Sequence, residues 1–317
     1  MSEIIDTAIS ELKDGGIIAI PTETVYGLGG NALSEAAVKK IFDLKNRPLH
    51  NPLIVHIASV DELEKLAKNI PDVAYRLAHT FWPGPLTLIL KKKEIIPSIV
   101  TAGLDTVAVR IPDHWLTLEL LKKLPFPLAA PSANPFGSIS PTKPDHVLKY
   151  FKNQLNLIID GGECQRGIES TIVGFDKSQN PIIFRQGAIT AEEIEKITGK
   201  LHFCTHEDQR PKAPGMLSKH YSPKTKSCLT NNLKTTLQFF EGKKIGALLF
   251  QNPLGDLPLD HQEILSESGD LKVAAKNVYA AMHRLDQKNL DIIIFEQLPD
   301  KGLGITINDK LRRAAKD

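Results

Sequence analysis

Cysteine is scarce in this chain: Cys164, Cys204 and Cys228 are the whole complement, odd in number and far apart. That count argues against a disulfide framework and fits a reducing compartment. Aromatic residues make up only 6% of the 317 residues, which speaks against a surface that holds single-stranded nucleic acid by stacking bases on rings. No apolar run approaches the length of a bilayer span, and the start Met1-Ser2-Glu3 has neither the basic nor the apolar part of a signal peptide. The expected location is the cytoplasm, with no membrane contact. No P-loop is present. A dominant charge sign is missing too: the net charge of +2 is too small to mark a nucleic-acid surface, so anionic ligands would have to be held by local clusters.

What remains is ordinary for a globular protein, with 42% hydrophobic and 24% charged residues, and the length suffices for two domains with cores of their own. One stretch organises the rest. Ile17 to Ile20 reads as a buried strand and runs into Pro21-Thr22-Glu23-Thr24-Val25-Tyr26-Gly27-Leu28-Gly29-Gly30, putting hydroxyls, a carboxylate and bare backbone at a strand's end, where ligands usually sit. A glycine-rich strand-to-helix turn is the plainer alternative. The spacing of Gly27, Gly29 and Ala32 matches a dinucleotide fingerprint only weakly, because the first glycine stands too far from the strand and no acidic residue follows at the required distance.

Ile4, Ile5, Ala8, Ile9 and Leu12 recur at helical spacing, and Ser34 can cap a helix running to about Phe42. In Lys45-Asn46-Arg47-Pro48-Leu49-His50-Asn51-Pro52 two prolines deny a helix, and an extended backbone would let Lys45 and Arg47 lean into one space. A point-charge lysine and a forked arginine are what a triphosphate needs. The strand 53–57 follows, with His56 inside its apolar run; such a histidine is more often a hydrogen-bonded core residue than a ligand. Ser59 with Glu62 spells a capping box, Pro71 suits the first turn of a helix to about Thr80, and Trp82-Pro83-Gly84-Pro85 reads as a rigid corner before the strand 86–90.

Thr106 to Pro112 reads as a buried strand ending in Arg110, a charge that needs a partner and whose fork suits a ligand carboxylate. A helix from His114 to Lys123 leads to a short strand that opens into Ser132, Ala133 and Asn134, with Ser138, Ser140 and Thr142 beyond it. After a strand 157–159, Gly167-Ile168-Glu169-Ser170-Thr171-Ile172-Val173 repeats glycine and hydroxyls beside β-branched residues, and Ile182-Ile183-Phe184-Arg185-Gln186-Gly187 is one more strand ending in arginine. Five polar strand ends in one domain imply a basic concave pocket for a large anionic ligand. In the tail, 245–250 and 292–295 have strand length and flank the helical pattern Val273, Ala274, Asn277, Val278, Ala281, Met282, Leu285. This small α/β unit shows no convergent polar cluster, which suggests support or gating. His202, Cys204, His206 and Asp208 alternate but lack a second ligand pair, so no metal site is assigned there.

Taken together, Pro21 to Leu28, Lys45-x-Arg47, Pro83-Gly84-Pro85-Leu86-Thr87, Arg110-Ile111-Pro112, Ser132-x-Asn134, Ser170-Thr171-Ile172-Val173 and Arg185-x-Gly187 stand in the order found in threonylcarbamoyl-AMP synthases of the YrdC-like family. The tail resembles the long form of that enzyme: Ala213 to Pro223 is similar to its interdomain linker, and Gly302 to Leu311 to the end of its accessory domain.

The resemblance implies an α/β fold, a YrdC-like twisted open mixed sheet with flanking helices, plus a smaller C-terminal Rossmann-like α/β domain. The corresponding boundaries are 1–204 for the catalytic domain, 205–224 for the linker and 225–317 for the accessory domain. It implies a nucleotidyltransferase that makes L-threonylcarbamoyladenylate and pyrophosphate from L-threonine, bicarbonate or carbon dioxide, and ATP with Mg²⁺, using no tightly bound organic cofactor. A downstream tRNA threonylcarbamoyl transferase complex would take the product, with at most weak tRNA contact here. By likeness, Lys45, Arg47 and Arg185 are catalytic; Thr24, His56, Arg110, Ala130 and Ser170 hold threonine. Arg47, Asn51, Thr106, Ser132, Ser140, Arg185 and Tyr221 hold ATP, and Asn134 shapes its loop. Two alternatives remain open, a non-catalytic RNA-binding module and a carbamoyltransferase built on a YrdC-like domain.

Overall fold

The computed structural model describes residues 2–204, 213–216 and 220–316. The positions His206 and Asp208 of the alternating tail segment lie outside the described residues, as do Leu217 to Lys219 of the linker motif.

A mixed sheet occupies the first two-thirds of the chain. Its strands are β1 (Ile18–Ile20), β2 (Gly27–Asn31), β3 (Ile54–His56), β4 (Leu86–Lys91), β5 (Thr106–Arg110), β6 (Leu128–Ala129), β7 (Thr171–Phe175), β8 (Pro181–Arg185) and β9 (His202–Phe203). They lie in the order β1-β2-β6-β3-β5-β4-β7-β8-β9, with β3/β5, β4/β7 and β8/β9 parallel and the other neighbours antiparallel. Alternation decides what each face buries. Leu86, Leu88 and Leu90 of β4 and Val107 and Val109 of β5 point into a core shared with the helices Glu35–Lys45 and Asp72–Phe81. The opposite face carries Ile54, Ile89, Ala108 and Ile172, covered by Ala213 and Met216 of the linker. A second core closes the β1 end, where Ile5, Ala8 and Leu12 of helix Ser2–Lys13 meet Leu116 and Leu120 of helix Trp115–Lys123.

The tail forms a parallel sheet of β10 (Ser227–Thr230), β11 (Ile245–Leu249), β12 (Gln262–Ile264) and β13 (Ile292–Glu296), in the order β10-β13-β11-β12. The helix Leu271–Leu285 is longer than its apolar spacing alone suggested, and Asp270 caps it by accepting from the N–H of Lys272. The core beneath it is not private to the tail. Val25, Ile139 and Ile168 of the first unit pack into the same cluster as Val278, Met282 and Ile307.

Several local expectations change. Gly27–Asn31 is a strand paired with β1, not a turn into a helix, so the polar residues of the motif occupy the loop 21–26 that joins the two strands. Lys45 is the last residue of the helix that Ser34 caps, and Asn46 ends it in the left-handed conformation at φ 50°. Lys45 and Arg47 therefore meet across a helix C-cap rather than along an extended backbone. Ser59 makes no capping bond, because Val60–Glu62 is a tight 3₁₀ turn ahead of the short helix Leu63–Leu66. Residues 157–159 pair with β1 only through a single bridge at Ile158, bonded to Ala19 on both sides.

Gly167 packs directly against the second unit. Its φ is +70°, and a Cβ there would lie 2.2 Å from the carbonyl oxygen of Lys276 in helix Leu271–Leu285. Gly167→Ala should therefore push the second unit away, with a stability loss of about 1–3 kcal/mol from overpacking. Thermal unfolding of the variant at the wild-type temperature would contradict this contact.

Candidate active site

Side chains two apart on a strand share a face, so His56 stands with Ile54 on β3, Arg110 with Ala108 on β5, and Ser170 with Ile172 at the start of β7. β8 adds Arg185 at its end. The loop 21–26 brings Thr22, Thr24 and Val25; the segment after β6 brings Ala130, Pro131 and Ser132; the linker closes the side with Pro214, Gly215, His220 and Tyr221. The cavity they enclose measures about 50 Å³, smaller than the roughly 300–1,000 Å³ of ordinary small-molecule sites.

Each arginine is gripped from behind and keeps donors to spare. Arg110 donates from Nη2 to Glu23 Oε1 at 2.5 Å, from Nη1 to Thr24 Oγ1 at 2.9 Å and from Nε to the Gly84 carbonyl at 3.2 Å. A guanidinium has five N–H groups, so one remains on each terminal nitrogen. The partner that this buried charge required is thus Glu23, itself held by the N–H of Asp113 at 3.0 Å. Arg47 donates from Nε and Nη2 to Asn51, and from Nη2 to the Pro52 carbonyl at 2.7 Å. Its Nη1 makes no hydrogen bond among the described residues. Arg185 places Nε and Nη2 on the Ser170 carbonyl at 3.1 and 2.9 Å, and Nη1 on Pro214 at 3.3 Å. The Ser170 hydroxyl meets Thr87 Oγ1 at 2.8 Å.

Burial governs the electrostatics. It lowers the Arg47 guanidinium to about 9, with Arg185 adding repulsion, and it lowers Lys45 well below the usual amine value, with Arg47 next in effect. Arg185 is lowered for the same reason. Desolvated cations brought together in this way gain most from an anion, which supplies the missing counter-charge. His56 is held neutral, its imidazole pushed down to about 3 by burial and by Arg110; its Nδ1 has no hydrogen-bond partner among the described residues.

The cleft brings together Thr24, Arg47, His56, Arg110, Ala130, Ser132, Ser170, Arg185 and Tyr221 of the residues singled out from the sequence. Others stand behind it. Lys45 Nζ donates to the carbonyls of Ser132 and Asn134, so the ammonium supports the loop rather than facing the cleft. Asn134 braces the same loop, donating to the carbonyls of Pro135 and Ser138 at 2.9 Å. Asn51 holds Arg47 by its Oδ1 at 2.7 Å, and Ser140 donates to Glu169 Oε1 at 2.6 Å. Thr106 has the right face but the wrong end: it opens the strand that Arg110 closes and borders a different depression, with Asn69 and Phe175. Four residues of strand put it roughly 13 Å from Arg110.

The sequence reading also missed partners. Glu169 lies on the cleft wall and takes the Tyr279 hydroxyl on Oε2 at 2.8 Å. The Tyr221 ring stacks on Tyr279 with centroids 5.5 Å apart, and Lys310 Nζ lies 5.1 Å from its centre. The tail therefore does hold a convergent polar cluster. It escaped notice because its members, Tyr279 and Lys310, are spread over two helices and converge only where these dock. Among the described residues, no group of three or more His, Cys, Asp or Glu side chains could hold a metal ion.

Comparison with known proteins narrows this geometry. The Sua5–YciO–YrdC family model, described as telomere recombination, matches residues 10–187, and the model of the threonylcarbamoyl-AMP synthase C-terminal domain matches residues 189–316. The threonylcarbamoyl-AMP synthase of Pyrococcus abyssi is 41% identical over 96% of this chain and 92% of its own length; that of Bacillus subtilis is 39% identical over 97% and 92%. A crystal structure of P. abyssi Sua5 complexed with L-threonine superimposes with a TM-score of 0.91 at 40% identity, covering 98% of this chain and 94% of that one. The chain belongs to the Sua5 family.

In this Sua5 family member, buried neutral histidines tie the site and the domain junction to pH. His146 and His283 stack across the junction with centroids 3.8 Å apart, held down by burial to about 3 and about 4. Folded-state values below the unfolded value near 6.5 mean that the unfolded chain binds more protons in that interval. Their stabilising effect is complete above about pH 6.5 and is lost as the pH falls toward 4. The urea midpoint should drop between pH 7 and 5, and His146→Gln should flatten the drop. The same slope in both proteins would exclude His146 as a source.

Proposed function

We propose that this protein synthesises L-threonylcarbamoyladenylate from L-threonine, bicarbonate or carbon dioxide, and ATP, releasing pyrophosphate. The observation that carries the reading is the convergence of Arg47, Arg110 and Arg185 with neutral donors and acceptors in one cleft, in a chain similar over nearly its full length to named threonylcarbamoyl-AMP synthases. The carbamate of threonine is an anion attacking an anionic α-phosphate, so catalysis consists mainly of gathering negative charge and stabilising what develops in the transition state. The carbamate oxygen forms the new bond to the α-phosphorus while the bond to the bridging oxygen breaks and pyrophosphate leaves. No protein nucleophile is needed.

Threonine goes to the β5 side. Its carboxylate takes the two remaining N–H groups of Arg110, and Thr24, His56, Ala130 and Ser170 surround its amine and side chain. ATP goes to the β8 side, with Arg47 and Arg185 on its phosphates, Ser132 on the sugar or base and Tyr221 closing the linker side. Asn51, Ser140, Lys45 and Asn134 act through these groups. The acidic groups near the cleft fit a resident metal poorly, since both Glu169 oxygens already accept hydrogen bonds. Mg²⁺ would therefore arrive on the phosphates of ATP, and no step is assigned to it.

The product is a mixed anhydride of a carbamate and a phosphate, which calls for prompt transfer to an acceptor; the tRNA adenosine beside the anticodon, served by a partner transferase, fits that chemistry. No helix among the described residues is long and apolar enough to cross a membrane, and a complement of only three cysteines, far apart in the chain, suits the cytoplasm, where ATP and tRNA are found.

Pyrophosphate release should require threonine, bicarbonate and ATP together, each omission abolishing it. Arg185→Ala should slow it roughly 10²–10³-fold, the scale of removing one donor from a developing oxyanion. Release that ignores threonine would overturn the reaction, and a near wild-type rate in the variant would overturn the role of Arg185.

A further inference from the structure

Glu169 is an anion on the wall of a cleft that otherwise gathers cations, and unshielded it would repel a phosphate at close range. Both of its carboxylate oxygens are instead taken from outside the cleft. Ser140 donates to Oε1 at 2.6 Å, Tyr279 on helix Leu271–Leu285 donates to Oε2 at 2.8 Å, and Lys310 on helix Leu303–Ala314 stands 4.0 Å away. Tyr279 and Lys310 have no solvent exposure, so water cannot substitute for either. Lys310 also donates to the carbonyl of Gln186 at 3.1 Å, next to Arg185.

On its other side Glu169 leads straight to the acceptors of Arg185. The Ser170 carbonyl receives Nε and Nη2 of that arginine, and the Ser170 hydroxyl receives Nη2 at 3.0 Å. The Glu169 carbonyl takes the N–H of Ala188 at 3.0 Å, so residues 169–170 and 185–188 move as one piece. A shift of the carboxylate would reach the guanidinium through two covalent residues and a pair of hydrogen bonds.

We propose that Glu169, Tyr279 and Lys310 are positioning residues of a single relay, through which the second domain shields the Glu169 carboxylate and sets the Ser170 acceptors that aim Arg185 at the nucleotide phosphates. The relay rests on the assignment of ATP to the Arg185 side of the cleft. It makes the second domain part of the nucleotide subsite, although none of its side chains lines the cleft.

Tyr279→Phe tests it with least disturbance, because the ring that stacks on Tyr221 stays and only the hydroxyl goes. Calorimetric titration of the full chain with ATP, alongside steady-state pyrophosphate release, gives two readouts, and the first does not depend on turnover. The expected result is an ATP affinity weakened about tenfold, the scale of one lost hydrogen bond to a charged group, with KM for ATP rising in step, KM for threonine changed less than about twofold, and little change in melting temperature. Lys310→Met should act in the same direction. In a Glu169→Gln background, Tyr279→Phe should add almost nothing, since both changes act on one link. Wild-type ATP affinity in Tyr279→Phe, full additivity with Glu169→Gln, or a loss that tracks a lowered melting temperature and vanishes on cooling would each overturn the relay. A wild-type protein that binds ATP but shows no threonine-dependent release would sink the reaction and leave the affinity comparison to decide the relay.

Discussion

Desolvated positive charge is the constraint around which this molecule is arranged. Lys45, Arg47, Arg110, Arg185, Lys310 and Arg313 are all buried, and each gives up hydration to be there. Three carboxylates answer them, Glu23 beside Arg110, Glu169 beside Lys310, and the half-buried Asp309 beside Lys310 and Arg313. The remaining charge is met by carbonyl oxygens: Ser132 and Asn134 for Lys45, Pro52 for Arg47, Ser170 for Arg185. Carbonyl dipoles orient a cation without neutralising it. Such a cleft stays short of negative charge until an anion arrives, and its arginines are already held by their hydrogen bonds, the kind of preorganisation that electrostatic catalysis relies on.

The fold supplies that arrangement through simple geometry. Because side chains alternate, an apolar strand can bury one face and end with a polar or charged residue on the other, and β3, β5 and β8 each do so. The linker then covers the apolar part of the exposed face with Ala213 and Met216 and the polar part with His220 and Tyr221. Tyr221 adopts φ 67°, a backbone state that costs a non-glycine residue about 1 kcal/mol or more. Stacking on Tyr279 and the nearby charges of Lys310 and Arg313 hold it there.

Much of this was legible in the residue order. Strands that end in Arg110 and Arg185, the helix capped by Ser34 and the tail pattern from Val273 to Leu285 could be read because a 2-residue or 3.6-residue period leaves a visible trace. Side-chain direction past the end of an element leaves none. Lys45 looked like a phosphate ligand from its neighbours, yet it closes its helix with Nζ on the carbonyls of Ser132 and Asn134. Thr106 shares the right face of β5, but position along a strand matters as much as face. The partnership of Glu169 with Tyr279 spans 110 residues and has no local signature, since it forms only where the two units pack together.

The spacing of the sheet has a consequence for substrate size. Neighbouring strands lie about 4.8 Å apart, and β5 and β8 are separated by β4 and β7, so the backbones carrying Arg110 and Arg185 stand roughly 14 Å from each other. That interval works as a ruler written in hydrogen bonds. One anionic group can sit at each arginine without the two competing for the same donors, so the sheet sets the distance between them before any side chain selects by shape.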